Sequence, residues 1–332
     1  LTRKSLDILP FDIRHVIEDY VYASNIFVRN RPVYIKTASQ PIISMVMRDR
    51  FDYYLAEKAV RAGALLHDEV TFKSLSGPVG NLKIETDRGV FRSKIIVGAD
   101  GVNSRVARSL GLYARHPLMN TIEAEVYPTS PKIFETFKGT AHFSLGFIPY
   151  GYGWIFPKRA HLSVGLLSTS LKDKDLKSYL TSYLKIKDLF HHVEVRSVSR
   201  HLIPCRVSRG TRFSNTRGLV LGDAAGVADP ITGEGIFYAI RGAQLASNVI
   251  RRALNAGYPY LEDYNPIMNR ELIRDLAYAR RMAFMLYRMP FLSLKLLDTH
   301  GEKAAEHYLA IVSGEKTYAQ LQKKLFGLKL FH

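Results

Sequence analysis

Leu221-Gly222-Asp223-Ala224-Ala225-Gly226 closes a short apolar run and leads, across Val227-Ala228, into Asp229-Pro230-Ile231-Thr232-Gly233-Glu234-Gly235-Ile236. Leu219-Val220-Leu221 predicts a buried strand, and Gly222-Asp223 ends it in a polar turn, the way a parallel strand delivers a loop to a ligand. A carboxylate at that turn can accept hydrogen bonds from ribitol or ribose hydroxyls, and the small side chains of Ala224 and Ala225 let backbone approach a bound molecule. From Gly235 to Leu254 apolar residues return at helical spacing. Gly233 and Gly235 therefore open a helix whose free N–H groups and positive dipole end suit a ring that becomes anionic. A lone Gly-Asp would be no more than a helix cap; the whole string at this spacing asks for a ligand.

The pattern changes several times upstream of this string. Asp49 to Ala64 carries Phe51, Leu55, Ala59 and Val60 on one helical face, with Gly63 as a stop. Val70–Leu75, Leu82–Thr86 and Val90–Phe91 alternate, with Asp87-Arg88-Gly89 as a turn, and predict small antiparallel strands. Lys94 to Gly98 is a fully apolar strand after its first residue, and it enters a second polar turn at Asp100-Gly101. From Thr121 to Leu167 short aromatic and β-branched runs, broken by Pro128, Pro131, Gly139 and Pro157, predict an antiparallel sheet. The expected class is α/β, α+β overall: a Rossmann-like nucleotide-binding portion in residues 1–115, an antiparallel-sheet substrate domain in 116–205, resumption of the first portion in 206–256 and a helical region in 257–332.

With these motifs in place, the Leu221–Ile236 string resembles the second flavin motif of the large family that contains para-hydroxybenzoate hydroxylase and the geranylgeranyl reductases. Val97-Gly98-Ala99-Asp100-Gly101-Val102-Asn103-Ser104-Arg105 is similar to that family's Gly-Ala-Asp-Gly motif, and Arg48, followed by Phe51-Asp52 and Leu55, stands where the family places a flavin-contacting arginine. Pro149-Tyr150-Gly151-Tyr152-Gly153-Trp154-Ile155-Phe156-Pro157-Lys158 resembles the Pro-x-x-Tyr-x-Trp-x-Phe-Pro-Lys motif of geranylgeranyl reductases. On an extended strand Tyr152, Trp154 and Phe156 share a face and form an aromatic wall. Ser313 to Tyr318 is a weaker likeness to the same family's ending.

The resemblance implies FAD, held by Arg48, Asp100, Gly101, Gly222, Asp223, Ala224, Gly233, Glu234 and Gly235, with NAD(P)H or another reductant as electron donor. It implies a substrate cavity lined by Tyr152, Trp154, Phe156 and Pro157. The activity implied is an oxidoreductase acting on CH–CH groups, saturating double bonds of geranylgeranyl chains carried on isoprenoid phospholipids. The rival within the same fold is an aromatic hydroxylase, and the rival outside enzymology is a flavin-less remnant that binds lipid. The family's Gly-x-Gly-x-x-Gly turn does not occur in this sequence; Leu1 to Leu6 looks like the stretch that follows it, so the first strand and pyrophosphate helix are expected either to lie upstream or to be lost. No catalytic acid is assigned, with Tyr152, His142 and Cys205 as low-ranking candidates.

Composition agrees with a globular protein of two domains: 332 residues, 47% hydrophobic and 23% charged. A single cysteine, Cys205, excludes an internal disulfide and a Cys-only metal site, and fits a reducing compartment. His142, His191, His192 and His201 lack metal-ligand spacing, so no metal is expected. The formal charge of +17 suits anionic lipid surfaces or phosphorylated ligands. No nucleic-acid module is present, which removes nucleic acid as the expected partner. No signal peptide is read, and no apolar run reaches the roughly 20 residues of a spanning helix. Met282 to Leu297, interrupted by Arg288, Pro290 and Lys295, is expected to lie on a membrane rather than cross it. Cytoplasmic location, peripheral on the inner membrane face, follows as the expectation.

Overall fold

The computed structural model describes residues 1–113, 118–170, 176–189, 191–205, 208, 210–257 and 260–327, with the side chains of 290–292, 294, 296, 298 and 323–327 left aside. Along the chain, α1 (Arg3–Asp7) precedes β1 (Ile17–Val21), β2 (Ala23–Val28), β3 (Arg31–Thr37) and β4 (Ile43–Val46). Next come α2 (Arg48–Arg61), β5 (Phe72–Ser76), β6 (Leu82–Thr86), β7 (Gly89–Ser93), β8 (Ile96–Gly98) and α3 (Arg105–Ser109). The middle of the chain forms β9 (Leu118–Pro128), α4 (Pro131–Phe137), β10 (Thr140–Leu145), β11 (Gly151–Pro157), β12 (Leu162–Ser168), α5 (Leu176–Ile186) and β13 (Val193–Pro204). The last part holds β14 (Gly218–Val220), α6 (Gly222–Ala225), α7 (Ile236–Asn255), α8 (Tyr264–Met268), α9 (Arg274–Arg288), α10 (Pro290–Val312) and α11 (Tyr318–Gly327). Pro290 separates α9 from α10, because it lacks the N–H an α-helix interior needs but is suited to a first turn.

Two compact units result, the first from Leu1–Leu55, Leu118–Leu202 and Arg281–His332, the second from Ala56–Pro117 and Ile203–Arg280. The division differs from the sequence boundaries at three places: residues 1–55 group with the sheet, 257–280 group with the second unit, and 281–332 group with the sheet unit. The reason for the first is hydrogen bonding. β2 and β3 form a hairpin, turned through Arg29 and Asn30 at positive φ, that adds to a seven-stranded sheet of order β13-β9-β12-β11-β10-β2-β3. β2 runs parallel to β10, whereas β10, β11, β12 and β9 pair antiparallel in that order. The sheet is therefore mixed at one junction, which no run of residues 121–167 alone announces.

One face of this sheet is a packed core. Ile122, Ala124, Val126, Ile155, Val164 and Leu166 meet Leu176, Leu180, Tyr183 and Leu184 of α5, spaced as one helical stripe. Gly153 is required there, since a Cβ would come within 2.8 Å of the Tyr183 ring. The buried Tyr183 hydroxyl donates to Ser144 Oγ at 2.9 Å, satisfying its polar tip. β13 closes the far edge, and residues 194–201 of it are all exposed.

In the second unit β5, β6 and β7 make an antiparallel meander, and β8 pairs parallel with β14. α7 buries Tyr238, Gly242, Leu245, Ala246, Val249 and Ala253, a period-3.6 stripe, into the same core as Leu219, Val220, Val106 and Tyr264. β8 differs from the fully buried strand the sequence predicts: Ile96 and Gly98 are buried, but Val97 between them is 37% exposed. Within α2 the same kind of difference holds, with Phe51 buried and Ala59 and Val60 exposed.

Candidate functional site

The second unit builds its site from β14 outward. Leu221 N–H donates to Gly98 O at 2.8 Å, continuing the β8–β14 pairing by one residue and bringing the two polar turns side by side. Gly222, at φ +51, starts the one-turn helix α6, and Gly226, at φ +70, ends it in the left-handed conformation that glycine adopts without strain. Asp223 stands in that turn. Its Oδ1 lies 3.5 Å from the point a Cβ on Gly235 would occupy, so the carboxylate and the start of α7 share one small space. Gly235 is the N-cap of a 20-residue helix with no side-chain cap hydrogen bond, so the positive end of the helix dipole lies beside that carboxylate.

Asp229 fixes the loop between these parts. It is fully buried, and its Oδ1 accepts from Ile231 N at 2.8 Å and Thr232 N at 3.0 Å. Its backbone closes the same loop, receiving Gly233 N–H and donating to Glu234 O, both at 2.9 Å. Glu234 N–H goes to Thr232 Oγ1 at 3.1 Å. Tyr238 Oη donates to Asp229 Oδ2 at 3.4 Å, and burial with this carboxylate holds the phenol far above its ordinary pKa. Asp229 carries no role in the sequence reading although it stands in the quoted motif; the Asp-Pro-x-x-Gly spacing is the signal that marks it, because an Asp side chain bonds the backbone two and three residues on. Cys205 Sγ is buried beside Asp229 O at 4.0 Å. Burial, then the Asp229 and Asp223 carboxylates, push the thiol up, so it stays protonated and is no nucleophile.

Asp100 has a definite local duty. Its Oδ1 accepts from Ser104 Oγ at 2.5 Å, and its Oδ2 from Arg105 N at 2.8 Å and Val106 N at 3.1 Å. It thereby satisfies the open N–H groups at the start of α3, while Ser104 Oγ accepts from Ala107 N at 2.8 Å. Gly101, at φ +78, has open space where a side chain would be.

The first unit holds the remaining site residues of the sequence reading. Arg48 begins α2 and bonds Asp52 through Nη2 at 2.8 Å and Nε at 3.1 Å, a pair at i,i+4 with its guanidinium largely in solvent. Such a pair contributes about 0.5 kcal/mol and is readily exchanged for a stronger anion. Tyr152, Trp154 and Phe156 form a continuous row on β11, with ring centroids 6.0 and 6.1 Å apart, and Phe143 of β10 joins Tyr152 and Phe156 at 6.2 and 5.4 Å. Pro157 is buried at the end of the strand. Lys158, just beyond it, donates from Nζ to Val46 O at 2.7 Å and so ties the aromatic strand to the corner that leads into Arg48.

A polar network shares the aromatic face. Trp154 Nε1 donates to Ser163 Oγ at 3.3 Å, and Ser163 Oγ donates to Glu123 Oε1. Next to it on β9, Glu125 Oε2 stands 2.7 Å from His161 Nε2, and Tyr127 stacks on that imidazole at 4.8 Å. Sequence reasoning misses Glu123 and Ser163, since only strand register brings Glu123 opposite Gly165 and Ser163 opposite Phe156. His142 lies on the other side of the sheet, against Phe27 and Phe137; burial and then Lys187 draw its pKa down from 6.5 to about 4. It is neutral near neutral pH and has no acidic proton to give.

Residues 12–270 match the family model described as an FAD binding domain, and the chain belongs to that family. Relatives place it further. The chain is 33% identical over 235 residues to the digeranylgeranylglycerophospholipid reductase of Methanocella arvoryzae, covering 67% of this chain and 58% of that one. It is 31% identical over 289 residues to digeranylgeranylglycerophospholipid reductase 2 of Methanothermobacter thermautotrophicus, covering 81% and 68%. A geranylgeranyl bacteriochlorophyll reductase-like protein of Thermoplasma acidophilum superposes with a TM-score of 0.78 at 23% identity, over 94% of this chain and 80% of that one. A flavin-dependent brominase gives 0.72 at 15% identity over 98% and 88%, which shows that the fold is shared with other flavin chemistry. The protein is a member of the geranylgeranyl reductase group of FAD-dependent oxidoreductases. It spans from 55% to 77% of the length of the reductases of this group from Methanocaldococcus jannaschii and Thermoplasma volcanium.

Proposed function

We propose that this chain carries the flavin and substrate sites of a reductase that saturates carbon–carbon double bonds of geranylgeranyl chains, with isoprenoid phospholipids as the substrate class. The observation that carries the reading is the row Tyr152–Trp154–Phe156 on one face of a central strand, in a protein whose relatives are named for geranylgeranyl lipids. An isoprenoid offers only apolar surface and double bonds for recognition, and an aromatic row meets both.

The residues present fit FAD at its ribityl and pyrimidine end: the Gly222–Gly226 turn leaves room for close backbone approach, Asp223 offers a carboxylate to hydroxyls, and the start of α7 lies beside that carboxylate. FAD, when bound, supplies the hydride after reduction by NAD(P)H or another reductant. Arg48 is assigned to the cofactor, exchanging Asp52 for it. An isolated trisubstituted alkene accepts hydride poorly because no carbonyl stabilises the carbanion, so a proton must reach the less substituted carbon as the tertiary carbon is reduced. Ser163, whose hydroxyl lies between the Trp154 N–H and the Glu123 carboxylate, is assigned with Glu123 to that proton route. The aromatic row holds the alkene in register and keeps water away.

The test is anaerobic incubation of the full-length protein with a geranylgeranyl glycerophospholipid and a reductant, read by mass spectrometry. A gain of two hydrogens per reduced bond supports the reading. Hydroxylated product that needs oxygen would replace it with an aromatic hydroxylase, and a purified protein without flavin absorbance would replace it with a lipid-binding role.

A further inference from the structure

α9 ends in a helical stretch with apolar side chains on two sides. Ala279, Ala283 and Tyr287 are buried at i, i+4 and i+8. Arg281, Phe284, Met285 and Arg288 stand at i, i+3, i+4 and i+7, a separate stripe, and Met289 follows just past the end of the helix. Among these residues Phe284 is 61% exposed, Met285 40% and Met289 45%. Three large apolar side chains next to one another in water are uncommon on a soluble surface and mark a contact. The charges around them have one sign. Between Asp275 and Asp298 there is no acidic residue, while Arg280, Arg281, Arg288 and Lys295 fall within that span.

The stripe also adjoins a cleft. Leu286 and Tyr287 line it with Ile148, Tyr150 and Gly151, and it is shallow and open to solvent. The Arg288 guanidinium lies 5.5 Å from the centroid of the Tyr150 ring on its rim. Gly151 is the first residue of β11, so the aromatic row begins at the next residue, Tyr152. No described helix is long and apolar enough to cross a membrane.

We propose that the Arg281–Arg288 stripe of α9, with Met289 just beyond it, docks on an anionic lipid bilayer, with Phe284, Met285 and Met289 entering the headgroup boundary and Arg281 and Arg288 holding lipid phosphates. A mixture of apolar and basic side chains on one helical face is what an interfacial element needs, because each contributes where the other is weak: charge draws the protein in from solution, and apolar burial retains it once screening is complete. The inference rests on the lipid reading of the substrate only for its purpose, which is to bring the cleft to the surface where a membrane-borne chain leaves the bilayer. Phe291, Leu292, Leu294 and Leu296, part of the interfacial segment expected from sequence, lie outside the described side chains.

Flotation of the full-length protein with phosphatidylcholine vesicles, with and without phosphatidylglycerol, tests it. Binding is expected only with the anionic lipid and should fall at least tenfold at high salt. Phe284→Ser with Met285→Ser, and separately Arg281→Glu, should each lower binding about tenfold or more with unchanged circular dichroism, since these side chains are exposed. Equal binding of the variants, binding to uncharged vesicles alone, or capture by a soluble acidic protein without vesicle binding overturns the proposal. Activity on micelle-dispersed substrate separates the two readings: saturation without flotation sinks the docking surface alone, and flotation without saturation sinks the reductase alone.

Discussion

The Trp154 indole lies across Gly165, its partner on the neighbouring strand, so closely that a methyl group on Gly165 would stand 2.1 Å from Cζ2. The glycine is a seat for the ring, and the Ser163 hydroxyl beside it fixes the direction of the indole N–H.

Gly165→Ala is expected to lift the indole from this seat at a cost of about 1–3 kcal/mol for overpacking. Trp154 is the single tryptophan of the chain, so its emission reports the change without interference. A red-shifted emission and at least a tenfold loss of turnover on a long isoprenoid, at unchanged flavin content, is the expected pattern. Unmoved emission would show that the ring is held by something other than this contact. Ser163→Ala should shift the same emission with a smaller loss of stability, of about 1 kcal/mol.

For the flavin, Asp223→Ala should lower occupancy after purification, measured by the ratio of visible to ultraviolet absorbance in the full-length protein. Gly235→Val should do the same by placing a side chain against the carboxylate and the helix start. Occupancy and spectrum equal to the parent in both variants would remove these residues from the cofactor site.

Asp229→Ala should destabilise the second unit, because it takes the buried acceptor from the half-buried Ile231 and Thr232 N–H groups. Each lost bond of this kind costs about 1–3 kcal/mol. Urea denaturation followed by circular dichroism gives the number, and a change below about 1 kcal/mol would mean that the loop holds without its buried carboxylate.

His142 makes the first unit sensitive to acid. Its folded pKa of about 4 lies below the ordinary 6.5, so the unfolded chain binds the proton first. The contribution is intact above pH 6.5 and is lost as pH falls through 6.5 toward 4, by up to a few kcal/mol. Lys187 is the charged neighbour, held over the Phe27 ring at 3.8 Å, and its positive charge adds to the cost of a second cation. In His142→Phe the decline across this window should flatten. An identical decline in parent and variant would assign it to other groups.

Much of the strand–turn–helix from β14 to α7 is legible in the sequence because it depends on local chemistry. Asp223, Gly233 and Gly235 need particular residue types within a dozen positions, and the strand, turn and helix around them follow from the same run. The aromatic row is legible for a similar reason, since period two places Tyr152, Trp154 and Phe156 on one side of any strand. What sequence does not show is register. Glu123 and Ser163 are polar residues in apolar strands until pairing sets them beside the Trp154 indole. β2 gives no sign that it will run parallel to β10, a pairing between residues more than a hundred positions apart. Asp100 reads as a ligand-facing acid in its motif, and the three hydrogen bonds that it spends on α3 appear only in three dimensions.

The exposed outer strand β13 has a consequence for handling the protein. Among the described residues its outer edge has no neighbouring strand, a template on which a second β13 could add, and Val195 and Val198, both exposed, would favour such growth. Arg196 and Arg200 on the same strand oppose it by repulsion between copies, and that repulsion weakens as ionic strength rises. Concentrated stocks should therefore keep better in dilute buffer, and turbidity that grows with added salt would identify this edge as the place where polymerisation starts.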